Sequence, residues 1–213
     1  MAYPTVNASY GLRPINSVDG KPYAGATRQL PIASNYNTAI YYGDIVALVA
    51  GGTIALSAVT TDSTSSAADY TYGVFMGCQY VNSQGQTVQA QYYPGTAVSD
   101  AIAYIVDDPM AAFKVAVITS GNVVSTVTNA SVVGTNLAVD AGAGGSTTTG
   151  NSSVGALQPT NSAGSAAALP LRCVEVVTGT SYVNDSGDVV YPEIVVKLNN
   201  PQITRPTAIN YVA

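Results

Sequence analysis

The residues best suited to chemistry in this 213-residue chain are three aspartates, Asp100, Asp107 and Asp108, and two cysteines, Cys78 and Cys173. No histidine is present, which removes the commonest general base and metal ligand and excludes serine–histidine and cysteine–histidine nucleophile systems. Two carboxylates on one substrate could serve glycoside hydrolysis. Asp107 and Asp108 are adjacent, however, and successive residues of a strand point to opposite faces. A dedicated calcium loop would space its acids, and this cluster does not. Asp108 followed by Pro109 reads instead as a side-chain cap with proline at the first helical position, predicting a single helical turn from Pro109 to Phe113. No GxGxxG or phosphate-loop pattern occurs among the glycines. The expectation is no catalytic residue, no cofactor and no metal. Each cysteine sits in an apolar run and reads as a buried free thiol, with a bridge between the two as the alternative.

The composition describes what must carry these residues. Hydrophobic types make up 47% and charged types 9%, against a usual charged share of about a quarter. The polar surface therefore rests on Ser, Thr, Asn and Gln, which suits close contact with neighbours. Fifteen tyrosines against two phenylalanines and no tryptophan supply apolar area with a polar tip, as interfaces use. The net charge is −5, and Arg13, Arg28, Lys114, Arg172, Lys197 and Arg205 are dispersed, so nucleic acid is not an expected partner. There is no apolar run long enough to span a membrane, and the start MAYPTVNASY does not read as a signal peptide. Synthesis in a cytosol, with no membrane partner, is the expectation.

Along the chain, residues 1–34 carry Pro4, Pro14, Pro22 and Pro31, which oppose helices and central strands. They read as an extended N-terminal arm with one short edge strand at Thr27–Ile32. Its apolar residues, Tyr10, Leu12, Ile15, Tyr23 and Leu30, need a surface from this subunit or another. Residues 35–119 read as the β core. They begin with a strand at Ala39–Tyr42 and a hairpin closing at Gly51-Gly52. Residues 120–168, dominated by Gly, Ser, Thr, Asn and Ala, read as a loop-rich excursion. Residues 169–200 form a C-terminal hairpin completing the core, and residues 201–213 a second arm.

Two hairpins are specified in detail. Asp185-Ser186-Gly187 is a three-residue loop whose last position needs positive φ. Pairing Tyr182 with Val190 then sets Thr178 against Ile194, Val176 against Val196, Val174 against Leu198 and Glu175 against Lys197. Likewise Ser83-Gln84-Gly85 pairs Tyr80 with Val88, Cys78 with Ala90 and Met76 with Tyr92. The two turns are read as one solution reached twice rather than as an internal duplication. The fold class that follows is mainly β: an antiparallel barrel or sandwich, with arms at both ends. By analogy, a small tulip-like barrel is the first expectation.

Several segments carry a family likeness: Gly11-Leu12-Arg13-Pro14, Pro22-Tyr23-Ala24-Gly25-Ala26-Thr27-Arg28, Ile32-Ala33 and Tyr42-Gly43-Asp44. Further along come Gly73-Val74-Phe75, Gln91-Tyr92-Tyr93-Pro94, Val106-Asp107-Asp108-Pro109, Leu169-Pro170-Leu171-Arg172 and Val195-Val196-Lys197-Leu198-Asn199-Asn200. In this order the set resembles the capsid decoration, or cement, proteins of tailed phages infecting aquatic bacteria and cyanobacteria. The resemblance implies a virion structural protein on the outer surface of the mature head. It implies the major capsid protein as partner, often with a homotrimer at threefold or quasi-threefold axes, and no catalytic residues. The contact candidates are Tyr10, Leu12, Arg13, Ile15, Tyr23, Arg28 and Leu30 on the arm, and Ser83, Gln84, Asp185 and Ser186 at the hairpin tips. Other virion parts (a head fibre, tail tube or receptor-binding knob) and a carbohydrate-binding β protein are the alternatives.

Overall fold

The computed structural model describes residues 9–57, 71–96, 98–119, 132–140, 144–158, 169–177, 182–183, 189–190 and 193–199. The protein is mainly β, with a nearly closed barrel-shaped sheet and a second antiparallel sheet. The strands are β1 (Arg13–Ser17), β2 (Arg28–Pro31), β3 (Ile45–Val49), β4 (Thr53–Leu56), β5 (Gly73–Val81), β6 (Thr87–Ala90), β7 (Ser99–Val106) and β8 (Ala111–Ile118). After them come β9 (Asn136–Leu137), β10 (Val139–Asp140), β11 (Gly155–Leu157), β12 (Leu171–Val176), β13 (Tyr182–Val183), β14 (Val189–Val190) and β15 (Glu193–Leu198).

One sheet runs β10-β11-β8-β15-β12-β9, with β1 also on β8. Only Ala138 separates β9 from β10, yet β9 pairs with β12 and β10 with β11. The two ends of the path therefore meet in one stretch of chain, and the sheet curls round on itself. Its interior holds Leu12, Phe113, Val115, Val117, Leu137, Val139, Leu171, Cys173, Val196 and Leu198. The other sheet runs β2-β7-β5-β3-β4, with β6 also on β5, over a core including Ile40, Val46, Phe75, Cys78, Tyr93 and Ile105. The sheets share three strands' worth of packing. Ile45, Val74 and Val106 face the barrel core while their neighbours Val46, Phe75 and Ile105 face the second, because successive strand residues point to opposite sides.

The turn chemistry accounts for both hairpins of the second sheet. Val49 pairs with Thr53 across Gly51 and Gly52, whose φ values are 86° and 75°, a region L-residues seldom occupy. Tyr80 pairs with Val88 and Cys78 with Ala90, as expected. Gly85 has φ 75°, and the Asn82 side chain accepts the Gln84 and Gln86 amides at 3.0 and 2.9 Å. The ladder ends at Cys78–Ala90, so Met76 and Tyr92 do not pair within it. Residues 39–42 contribute isolated bridges, Ile40 to Tyr93 and Tyr42 to Asn151, rather than a strand.

Four further expectations are corrected. The described part of the N-terminal segment holds an edge strand where expected, β2, but also a second strand, β1, where an extended arm was expected. β1 pairs with β8 and β2 with β7; Leu12 is fully buried in the barrel, and Tyr23 and Leu30 pack on the two cores, while Ile15 stays exposed. No helical turn follows Pro109. Asp108 caps a β-turn instead, its carboxylate accepting the Met110 amide at 2.8 Å and its carbonyl the Ala111 amide at 3.0 Å. Within residues 120–168, β9, β10 and β11 complete the barrel; strands of two or three residues are too short to impress a period on the sequence. In the C-terminal hairpin, Tyr182 does pair with Val190, but the base shifts: Cys173 faces Val196, Val176 faces Ile194 and Glu175 faces Val195. A bulge between Cys173 and Glu175 leaves Val174 outside, 37% exposed. The C-terminal arm, residues 201–213, lies outside the described residues. Cys78 and Cys173 are free and buried, one in each core, and burial pushes both thiols up to about 12.

Candidate functional site

The surface around the end of β1 is the best-formed candidate. Gly20, at φ 87°, lets the chain double back after β1: the Ser17 amide donates to the Lys21 carbonyl at 2.8 Å and the Gly20 amide to the Ser17 carbonyl at 2.9 Å. The Val18 amide is tied to the Met110 carbonyl at 2.8 Å. Between this small hairpin and the β7–β8 turn lies a groove of about 380 Å³ lined by residues including Asn16, Asp19, Lys21, Tyr23, Asp108 and Met110. A second hollow of about 340 Å³, lined by Ala26, Thr27, Arg28, Asp107 and Asp108, continues it.

The groove is lined by both charged and apolar side chains. Lys21 pairs with Asp19 at 2.8 Å, and its hydrogen bond, with a second from Ser17, holds the Asp19 carboxyl down at about 2. Arg28 forms an ion pair with Asp107, and the Tyr72 hydroxyl donates to the same carboxylate at 3.3 Å. Ile15, Val18 and Met110 stand 40%, 38% and 41% exposed, three of the most exposed large apolar side chains among the described residues. Isolated exposed apolar residues are ordinary, whereas a group beside a groove is what docking surfaces show.

The three aspartates do not share a site. Asp107 is held by Arg28, Asp108 caps its turn, and Asp100 stands at the opposite end of β7, exposed and at φ 50°. Asp107 lies seven positions after Asp100, roughly 23 Å along the strand at the usual rise. No group of three or more His, Cys, Asp or Glu able to hold a metal ion occurs among the described residues.

The proposed contact residues fall into separate places. Tyr23 lines the groove and Arg28 the hollow beside it, with the Tyr23 hydroxyl donating to the Ala26 carbonyl at 3.1 Å, and Ile15 is an exposed residue of β1. Leu12 is inaccessible, so it is no surface contact in this state. Tyr10 and Arg13 are half-buried and turned toward their own barrel. Leu30 packs on the second core. Ser83 and Gln84 are exposed at the far end of the second sheet, and Asp185 and Ser186 lie outside the described residues.

At the start of the β1–β8 ladder is a cluster that the sequence did not single out. Glu193 has a side chain only 2% exposed and pairs with Lys114 at 3.1 Å. The Tyr10 hydroxyl donates to the same carboxylate. The Arg13 guanidinium lies 4.1 Å from the Tyr42 ring centre, a cation–π contact. Burial first, then Glu193, pushes the Tyr10 hydroxyl well above its usual range. Close by, Asp44 is 3% exposed and accepts the Tyr41 amide at 2.7 Å. Burial raises its carboxyl to about 6, against the opposing pull of hydrogen bonds from Ser152 and Tyr41. A signal for Glu193 was present: a glutamate opening the run Ile194-Val195-Val196, apolar on both faces, must find a partner inside.

No protein-family model matches this chain, and no curated protein or solved structure shows significant similarity to it.

Proposed function

We propose that this protein is a structural component of a phage virion, bound to the outer surface of the head, where it clamps neighbouring capsid subunits. The observation that carries this reading is the exposure of Ile15, Val18 and Met110, the last lining a groove, on a chain with only 9% charged residues. Ile15 and Val18 lie within the N-terminal segment whose Gly11–Pro14 and Pro22–Arg28 motifs carry the likeness to decoration proteins. A clamp that binds only the expanded shell stabilises it by mass action, at no cost to the unexpanded form. Ile15, Val18 and Met110 supply apolar area for that contact, and a β-rich framework holds them in one geometry, limiting the ordering entropy of docking. The partner is the major capsid protein, with self-association into a trimer as the accompanying expectation.

The test is occupancy on particles. Heads lacking the protein are incubated with the purified chain and imaged by electron cryo-microscopy. Density at threefold or quasi-threefold positions, lost in the double variant Ile15→Glu/Met110→Glu, supports the reading. Density along the tail or at a fibre position replaces it with another virion role. Removing residues 1–34 is not a suitable variant, because it would delete β1, β2 and the buried Leu12.

A further inference from the structure

Residues 9–17 cross three other parts of the chain within a few residues. The Ser9 hydroxyl donates to the Ser153 carbonyl at 2.5 Å, and the Gly11 amide to the Val154 carbonyl at 3.0 Å. The Leu12 amide donates to the Gly43 carbonyl at 3.0 Å, and the Gly43 amide to the Phe75 carbonyl of the second sheet at 2.8 Å. Gly11 and Gly43 lie back to back. A side chain at position 11 would meet Ser152 Cβ at 2.9 Å, and one at position 43 would meet the Leu12 nitrogen at 2.8 Å. Leu12 itself enters the barrel core, and β1 then pairs along β8. The segment thus touches the barrel, the corner leading into the second sheet, and the 150–154 stretch before β11.

One pairing in this arrangement is unfavourable by itself. Arg13 stands directly opposite Lys114, and like charges in cross-strand positions repel. Glu193 lies beneath them. Its carboxylate neutralises Lys114 at 3.1 Å and takes the Tyr10 hydroxyl, while Arg13 turns to the Tyr10 carbonyl at 2.8 Å and the Tyr42 ring. Removing the Glu193 charge would therefore do more than lose a hydrogen bond. It would leave two cations facing each other across the β1–β8 ladder.

We infer that residues 9–17 form a single strap that opens and closes as one unit, with Glu193 as its catch, and that closing it couples the barrel to the second sheet. The inference stands on contacts within the chain and does not depend on the proposed virion role. Beyond β1 the chain is exposed from Val18 to Pro22 and again from Ala24 to Gln29, and Gly20 and Gly25 have nothing within 4 Å of an added side chain. That connector allows the strap to release without disturbing β2.

Hydrogen exchange on the full chain, read by mass spectrometry, tests this. In Glu193→Gln, amides of residues 11–17, 42–44, 111–114 and 150–154 are expected to exchange about tenfold faster together, while β5 and β7 amides keep their rates. Adding Lys114→Met to that variant removes the facing cation and is expected to restore protection across the whole set. Tyr10→Phe, which deletes one hydroxyl, serves if Glu193→Gln does not fold. It should accelerate the same set by a smaller common factor. Faster exchange confined to residues 193–195 and their β8 partners, or to residues 9–11 in Tyr10→Phe, would overturn the inference. So would a failure of Lys114→Met to restore protection in folded Glu193→Gln.

Discussion

The two long hairpins share a turn sequence and a register next to it, and differ further down. Tyr80-Val81-Asn82-Ser83-Gln84-Gly85-Gln86 and Tyr182-Val183-Asn184-Asp185-Ser186-Gly187-Asp188 align residue for residue at the tip, and both tips pair as their turn demands, Tyr80 with Val88 and Tyr182 with Val190. In the β5–β6 hairpin the same register continues to Cys78–Ala90. In the C-terminal hairpin it does not: by Val176–Ile194 the strands have slipped by two residues, and by Cys173–Val196 by three. The base of that hairpin is pinned elsewhere, because β15 pairs along its length with β8 and its inner side chains fill the barrel. A turn thus dictates register over a few residues, and a neighbouring strand overrules it further away. The bulge at Val174 is where one of the extra residues is absorbed, which is the usual work of a bulge.

The comparison breaks most visibly at Val176. Extending the tip register inward places Val174 and Val176 alike inside, whereas the structure buries Val176 and exposes Val174. Val176→Lys buries a charge in the barrel and is expected to destabilise by at least about 3 kcal/mol, read as a shift in the urea midpoint.

The corner under the β5–β6 hairpin has its own pH signature. The Phe75 amide donates to the Asp44 carbonyl at 2.9 Å, and the Asp44 carboxyl is raised from its ordinary value of 3.8 to about 6. A raised acid favours the folded state while it is protonated. That contribution is complete below about pH 4 and lost as pH rises through about 6. A shift of this size corresponds to about 2–3 kcal/mol. Asp44→Asn is expected to remove this part of the pH dependence, gaining stability at pH 8 relative to the parent and little at pH 4. Melting temperatures at the two pH values check it, and an unchanged pH profile in the variant would refute it.

Gly85→Ala tests the tip. Nothing lies within 4 Å of an added side chain there, so the only cost is φ 75°, about 1 kcal/mol. The loss should come with faster exchange at residues 80–88 and an unchanged C-terminal hairpin. The smallest effect belongs to Val174→Lys, expected within about 0.5 kcal/mol of the parent because the side chain faces solvent. A loss as large as that of Val176→Lys would mean that the tip register runs through the base.

Much of the second sheet was legible because two of its strand pairs, β3–β4 and β5–β6, are joined by short turns. Gly51-Gly52 and Ser83–Gly85 name their loops, and the alternation of β3 to β6 follows. The barrel was less legible. Phe113, Val115 and Val117 on β8 announce a core face, but β9, β10 and β11 are too short to show a period, and β11 joins β8 in parallel across a long connection. Of the candidate contacts, Tyr23 reached the groove, Arg28 the hollow beside it, and Ile15 an exposed place on β1. Leu12 and Tyr10 went inward, since an apolar residue on a proline-rich segment says only that it needs cover, not whose. The ion pair was expected between Glu175 and Lys197; it forms between Glu193 and Lys114, in strands brought together only by the barrel.

What the sequence determined by itself is local: the class of fold, the hairpin tips and the positions where glycine must turn the chain, because these depend on residues within a few places of one another. The tertiary structure decided the register at the base of the C-terminal hairpin, the inside and outside of Val174 and Val176, and the partners of Glu193. Each of those is set by contact between strands far apart in the chain, where burial of a common core outweighs the preference of any single turn.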